Sequence, residues 1–138
     1  MDIYKTAHVV YNIKYHLVWI TKYRYKKFHG RVAERTKELL LELGLEYEVP
    51  IEEISIEPDH VHIYIRMDPD DRPSKVVQVL KSQSAKVLKQ EYKYLANKKG
   101  NVWGRGYFIT SVNDKTTSEM IKRYIRNQKQ EAKQMKIW

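Results

Sequence analysis

Cysteine is absent from the 138 residues, which excludes disulfides and thiolate metal sites and leaves histidine, carboxylate and amide side chains as the only available metal ligands. No apolar run approaches the ~20 residues that cross a bilayer. The opening Met1-Asp2-Ile3-Tyr4 lacks a signal-peptide profile, so the expectation is an intracellular, cytoplasmic protein. No internal repeat, linker or low-complexity segment interrupts the chain, and its length suits one domain, residues 1–138, with a real core. Acidic side chains are in the minority, 17 against 26 Lys and Arg, for a net charge of +9. The basic residues are interleaved with 11 Tyr and 3 Trp. That mixture suits a polyanion carrying flat bases, a single-stranded nucleic acid in particular. A membrane surface would also attract the charge, but no segment pairs it with a strongly apolar face.

Residues 1–10 read as a leader without pattern. From Tyr11 to Thr21, Asn12, Lys14 and His16 alternate with Tyr11, Ile13, Tyr15 and Leu17, and Val18-Trp19-Ile20 continues as a buried strand end. Lys22-Tyr23-Arg24-Tyr25-Lys26-Lys27 forms a basic, aromatic loop suited to nucleic-acid backbone and bases. Arg31 to Leu43 is an amphipathic helix on Val32, Leu39, Leu40 and Leu43, with Gly44 placed to end it. Tyr47 to Glu57 is a strand whose Pro50 argues for an edge position or a bulge. Glu57-Pro58-Asp59 then turns it into a hairpin partner, His60 to Arg66.

Pro73 suits the first turn of a second helix running from about Ser74 to Asn97, buried on Val76, Val77, Leu80, Ala85, Leu88, Tyr92 and Leu95. Trp103-Gly104-Arg105-Gly106 leads into a fourth strand, Tyr107 to Val112; its glycines permit close backbone approach, or simply a tight turn. Thr116-x-x-Glu119 has the form of a capping box and starts a terminal helix over about 116–136. The order β-α-β-β-α-β plus a helix predicts an α+β, ferredoxin-like (RRM-like) fold: a four-stranded antiparallel sheet with two helices on one face.

Chemistry collects on the strand Asp59-His60-Val61-His62-Ile63-Tyr64-Ile65-Arg66. Its period of two puts His60 and His62 on one face, opposite Val61, Ile63 and Ile65. Two imidazoles so placed can hold a divalent metal, although an arbitrary His-x-His is more often a polar pair on a solvated face. This strand takes a central place in the predicted sheet, with its histidines facing away from the two helices. On the terminal helix Tyr124 and Gln128 are four apart and share a face. Taken singly, such a tyrosine is usually core and such a glutamine a surface amide. Together they offer an oxygen nucleophile and a further ligand.

Tyr15-His16-Leu17-Val18-Trp19-Ile20-Thr21-Lys22-Tyr23-Arg24, His60-Val61-His62, Trp103-Gly104-Arg105-Gly106-Tyr107-Phe108 and Tyr124-Ile125-Arg126-Asn127-Gln128 resemble the single-tyrosine HUH transposases. These are the transposases of the smallest bacterial and archaeal insertion sequences, with the REP-associated tyrosine transposases among their relatives. The resemblance runs through nearly the whole chain in the right order. It implies that Tyr124 is the catalytic nucleophile, that His60, His62 and Gln128 bind Mg2+ or Mn2+, and that single-stranded DNA is cut and rejoined through a 5′-phosphotyrosine. The basic surface, Lys22, Arg24, Lys26, Lys27 and Arg105 with the lysines of the second helix, is then expected to hold a DNA hairpin at the element ends and its flanking single strand. A homodimer, with the terminal helix of one subunit serving the histidines of the other through the polar Asn113-Asp114-Lys115-Thr116 connection, is implied as well. The competing readings are a non-catalytic or domesticated nucleic-acid-binding protein of the same fold and a metal-dependent hydrolase that uses water.

Overall fold

Alternating apolar side chains and two amphipathic stretches account for every long element of the computed structural model, which describes residues 3–111 together with Tyr124, Arg126 and Asn127. The chain begins with two short strands, β1 (Tyr4–Lys5) and β2 (Val10–Tyr11), paired antiparallel. The expected featureless leader is therefore a small ribbon. Its tyrosines explain why: the Tyr4 ring lies 5.8 Å from that of Tyr11 and carries the Arg66 guanidinium 3.9 Å from its centroid.

Strand β3 (Ile13–Ile20) leads through a single 3-10 turn, Lys22–Arg24, to helix α1 (Gly30–Glu46). Gly44, expected as the stop of this helix, lies buried within it instead. A Cβ there would come within 2.9 Å of the Val49 carbonyl oxygen, so glycine is required by close approach of the returning chain. The helix ends three residues later than expected, and the reversal is made by Glu48 at φ +59° with the Val49 N–H donating to the Gly44 carbonyl at 2.8 Å.

Strand β4 (Ile51–Glu57) follows Pro50 and carries a register shift between Ile51 and Glu53, as expected of an edge strand. The two-residue turn Pro58-Asp59 joins it to β5 (His60–Met67), with Glu57 opposite His60. Helix α2 (Pro73–Glu91) starts at Pro73 as anticipated but stops six residues short of Asn97. At Tyr92 the backbone leaves the helical region (φ −139°, ψ 86°), and a 3-10 turn over Lys93–Leu95 drives Leu95 into the core. The apolar pattern continued past the end of the helix because the next turn is buried too. The fourth long strand is β6 (Phe108–Ser111).

The sheet order is β4-β5-β3-β6, all antiparallel, which is the ferredoxin-like arrangement. Leu17, Trp19, Val61, Ile63, Ile65 and Met67 project from the sheet into one core with Leu39, Leu40 and Leu43 of α1 and Val77, Leu80 and Leu88 of α2. The bidentate Arg35–Glu91 pair, at 2.8 and 2.9 Å, joins the two helices at the surface. Of the expected terminal helix, Tyr124, Arg126 and Asn127 are helical; the capping box, Gln128 and the Asn113–Thr116 connection lie outside the described residues. Among the described residues no helix is long and apolar enough to cross a membrane.

Candidate active site

Strand pairing defines the sheet face away from the helices, because residues directly opposite in an antiparallel pair share a face. On β5 that face carries His60, His62, Tyr64 and Arg66. Opposite them on β3 stand Ile20, Val18, His16 and Lys14, and beyond β3, on β6, Phe108 faces Val18 and Thr110 faces His16. On the other flank, β4 sets Glu57, Ser55 and Glu53 opposite His60, His62 and Tyr64. The two histidines thus share a face of an inner strand, as the alternation predicts. This face is apolar around Val18, Ile20 and Phe108 and polar beyond His16. Val18 is fully buried and Ile20 nearly so, so the end of the face nearest His60 is covered.

Tyr124 is part of the cover. Its ring centroid lies 5.5 Å from that of Phe108, the residue paired through Val18 to His62. The candidate nucleophile and the histidine pair therefore occupy the same side of the sheet. Gly104 closes the neighbouring corner: its N–H donates to the Ile20 carbonyl at 2.8 Å, and a Cβ would come within 2.8 Å of Ile20 Cγ1. Close approach, the rarer of the two uses considered for these glycines, is what Gly104 serves. Gly106, at φ +77°, serves backbone conformation.

Each imidazole has a fixed partner. His60 Nδ1 is 2.8 Å from Asp59 Oδ1, and Asp59 Oδ2 accepts from Arg24 Nη2 at 2.6 Å. Both members of that ion pair are largely buried, with side chains 14% (Arg24) and 8% (Asp59) exposed. Burial pushes the Asp59 carboxyl up, but the His60 hydrogen bond and the Arg24 charge outweigh it and hold its pKa below the ordinary value. Since an ionised carboxylate can only accept, His60 donates Nδ1–H, and in its neutral form this tautomer keeps the Nε2 lone pair for a ligand. His62 Nε2 is 3.1 Å from His16 Nδ1. Burial lowers the pKa of both rings; for His62 the charges of His16 and His60 add to the effect, with Glu53 opposing it at both. Neutral imidazole is the metal-ligating form, so the donor chemistry of His60 and His62 fits a divalent cation. Gln128, the expected third ligand, lies outside the described residues.

The expected DNA-contacting cations fall into two groups. Arg24 is turned inward to Asp59, and its Nε and Nη1 are buried with no hydrogen-bond partner among the described residues. The loop that aims it is strained, with Tyr23 and Arg24 both at positive φ, and is pinned by Thr21, whose Oγ1 donates to the Tyr25 carbonyl at 2.7 Å. Lys22, Lys26, Lys27 and Arg105 are half-buried or exposed. Lys22 Nζ stands 5.2 Å from the Tyr23 ring centroid and Lys27 Nζ 5.3 Å from that of Tyr25, so cations and aromatic faces alternate as proposed for this loop.

Lys81, in the sequence one of the polar-face lysines of the second helix, has a structural role that its position there does not disclose. Its ammonium donates to the carbonyls of Gly104 and Gly106, both at 2.8 Å, and so ties α2 to the turn that enters β6. Burial, with the Lys22 charge adding, brings its pKa down to about 8 from the ordinary 10.5. Lys81→Met is expected to cost about 1–3 kcal/mol by leaving the buried Gly104 carbonyl without its donor. Because the unfolded chain binds more protons between pH 8 and 10.5, Lys81 makes stability rise with pH across that window. Urea unfolding of the wild type and of Lys81→Met at pH 7.5, 9 and 10 should show that rise shrinking in the variant.

Comparison with known proteins finds similar chains of one family. A family model described as "Transposase IS200 like" matches residues 9–128. The chain is 31% identical to the ISDra2 transposase TnpA of Deinococcus radiodurans over 130 residues, covering 93% of this chain and 92% of that protein. It is 32% identical to the transposase for insertion sequence element IS200 of Salmonella typhimurium, covering 92% of this chain and 84% of the other. A crystal structure of a transposase from Deinococcus radiodurans R1 superposes with a TM-score of 0.86 at 29% identity, over 91% of this chain and 97% of that one. A REP-associated tyrosine transposase bound to a REP hairpin shares the fold, with a TM-score of 0.58 at 12% identity over 87% of this chain and 67% of that one.

Proposed function

This chain belongs to the IS200-like transposase family, and we propose that, as a tyrosine transposase, it cuts and rejoins single-stranded DNA with Tyr124 as the attacking group. The observation that carries this reading is the packing of Tyr124 on Phe108, on the sheet face that presents His60 and His62. Tyr124 Oη forms a bond to the scissile phosphorus while the bond to the departing 3′ oxygen breaks. The phenol proton is lost and the leaving oxygen gains one, giving a 5′-phosphotyrosine and a free 3′-OH. Attack by that or another 3′-OH on the tyrosyl phosphate reverses the exchange. The phosphodiester energy stays in the tyrosyl linkage, so rejoining needs no nucleotide cofactor.

A phenol of pKa ~10 is mostly protonated at neutral pH, so attack requires help in charge and orientation. His60 through Nε2, His62, and Gln128 as the expected third ligand would hold Mg2+ or Mn2+. When bound, such an ion supplies Lewis-acid polarisation of the phosphate. Asp59 holds the His60 ring in place for that task.

The basic, tyrosine-rich loop after β3 supplies cations and stacking faces for the DNA, and the hairpin in the REP-associated structure supports a hairpin at the element ends as its target. A homodimer is part of this proposal. In the structure Tyr124 lies against Phe108 of its own chain; mixing His60→Ala with Tyr124→Phe chains restores cleavage only if active sites are shared between subunits.

The test is a labelled single strand carrying the element ends, incubated with protein and Mg2+ and resolved on a denaturing gel. A covalent protein–DNA band that EDTA abolishes is the expected result. Tight binding without the band would establish the non-catalytic reading, and cleavage without it a hydrolase.

A further inference from the structure

The contact between His16 Nδ1 and His62 Nε2, at 3.1 Å, joins two ring nitrogens. One of them carries the proton and the other accepts it. If His16 donates, neutral His62 accepts at Nε2 and has its own proton on Nδ1, so that neither of its nitrogens offers a lone pair. If His62 donates from Nε2, its Nδ1 lone pair is free. Only the second arrangement lets His62 act as a ligand while the contact persists. His60 stands the other way round, since Asp59 takes its Nδ1–H and leaves Nε2.

We propose that His16 is a positioning residue: it accepts the Nε2–H of His62 and thereby selects Nδ1 of His62 as the ligating nitrogen, so that the two imidazoles present unlike nitrogens. The inference rests on the metal-binding reading given above. His16 is placed for this role by strand register. It faces Tyr64 directly and reaches His62 one diagonal step along β5, with ring centroids 5.1 Å from Tyr64 and 5.2 Å from His62. Packing against the phenol on one side and the hydrogen bond on the other restrict the imidazole. Among the described residues, His16 is the one that hydrogen-bonds to His62.

The experiment has two arms. Two-bond 1H–15N spectra of the metal-free, imidazole-labelled wild type report the tautomers directly. The expected pattern is His62 protonated on Nε2 and His60 on Nδ1; a His62 protonated on Nδ1 overturns the proposal. The second arm titrates Mn2+ by electron paramagnetic resonance into the wild type, His16→Leu and His16→Asn. The leucine variant should bind about 10–100-fold more weakly. The asparagine variant, whose amide oxygen can accept the same proton, should recover most of the affinity. A merely structural role for His16 would lower affinity in both or neither, and either result overturns the proposal. Wild type that binds no Mn2+ would defeat the metal-binding reading, and with it the selection of a ligating nitrogen, while the spectra would still show whether the tautomers are as stated. If His16→Leu does not fold, the wild-type spectra still decide.

Discussion

Replacing Tyr124 by Phe is expected to abolish the covalent protein–DNA band and to lower strand cleavage by at least ~10^4-fold, the scale seen when a nucleophile is removed from an otherwise intact site. The ring remains to stack on Phe108, whose centroid is 5.5 Å away, so the cover over the sheet face persists and only the oxygen is lost. Binding of the same single strand should therefore stay within a few-fold of wild type in a filter or anisotropy assay. Residual cleavage near the wild-type rate, with or without an adduct on another residue, would remove Tyr124 from the role of nucleophile. Loss of DNA binding together with cleavage would mean that the tyrosine supports the surface rather than the reaction.

The second large effect is on stability. Asp59→Ala removes the carboxylate from a largely buried ion pair and leaves the Arg24 guanidinium without the acceptor of its Nη2. Breaking such a pair from one side costs about 3–5 kcal/mol, because an uncompensated charge stays in a low-dielectric setting. The carboxylate also fixes the His60 tautomer, so Mn2+ affinity should fall in any fraction that remains folded. Asp59→Asn keeps an acceptor for His60 but loses the charge facing Arg24, and should lie between the two. The pH dependence has a defined sign. Because Asp59 is held below its ordinary pKa of 3.8, its contribution to stability is fully present well above that value. It is lost as pH falls below 3.8 and through the folded-state value. Chemical denaturation of wild type and Asp59→Ala at pH 7 and pH 3 should show the gap between them narrowing in acid.

These two residues also show what a sequence discloses and what it withholds. The histidine strand was legible because a period of two is a local property: four alternating residues fix which side chains share a face. The hairpin, its two-residue turn and the edge character of the strand after Pro50 were legible for the same reason. Asp59 is legible only as a turn residue, since nothing near it in sequence indicates an arginine 35 positions earlier that folds back onto it. His16 was visible as one polar member of an alternating strand, but its contact with His62 spans 46 positions and depends on the antiparallel register. Gly44 and Leu95 misled for a different reason. Glycine serves both as a helix stop and as a notch for another backbone, and a buried leucine continues a helical stripe whether or not the helix continues. Composition and short motifs do not separate those cases; packing does.

The histidines stand on a strand that is hydrogen-bonded on both sides, between β4 and β3. Amides of an inner strand exchange with solvent mainly when the whole structure opens. The Val61 and Ile63 amides should thus exchange deuterium at rates set by global unfolding. A variant's cost in folding can then be read at the strand that carries the two histidines, in the same sample used to titrate Mn2+. In the proposed reaction the histidine pair would then be the stationary partner: a displacement of DNA or of Tyr124 would take place relative to a strand whose backbone yields only when the protein itself unfolds.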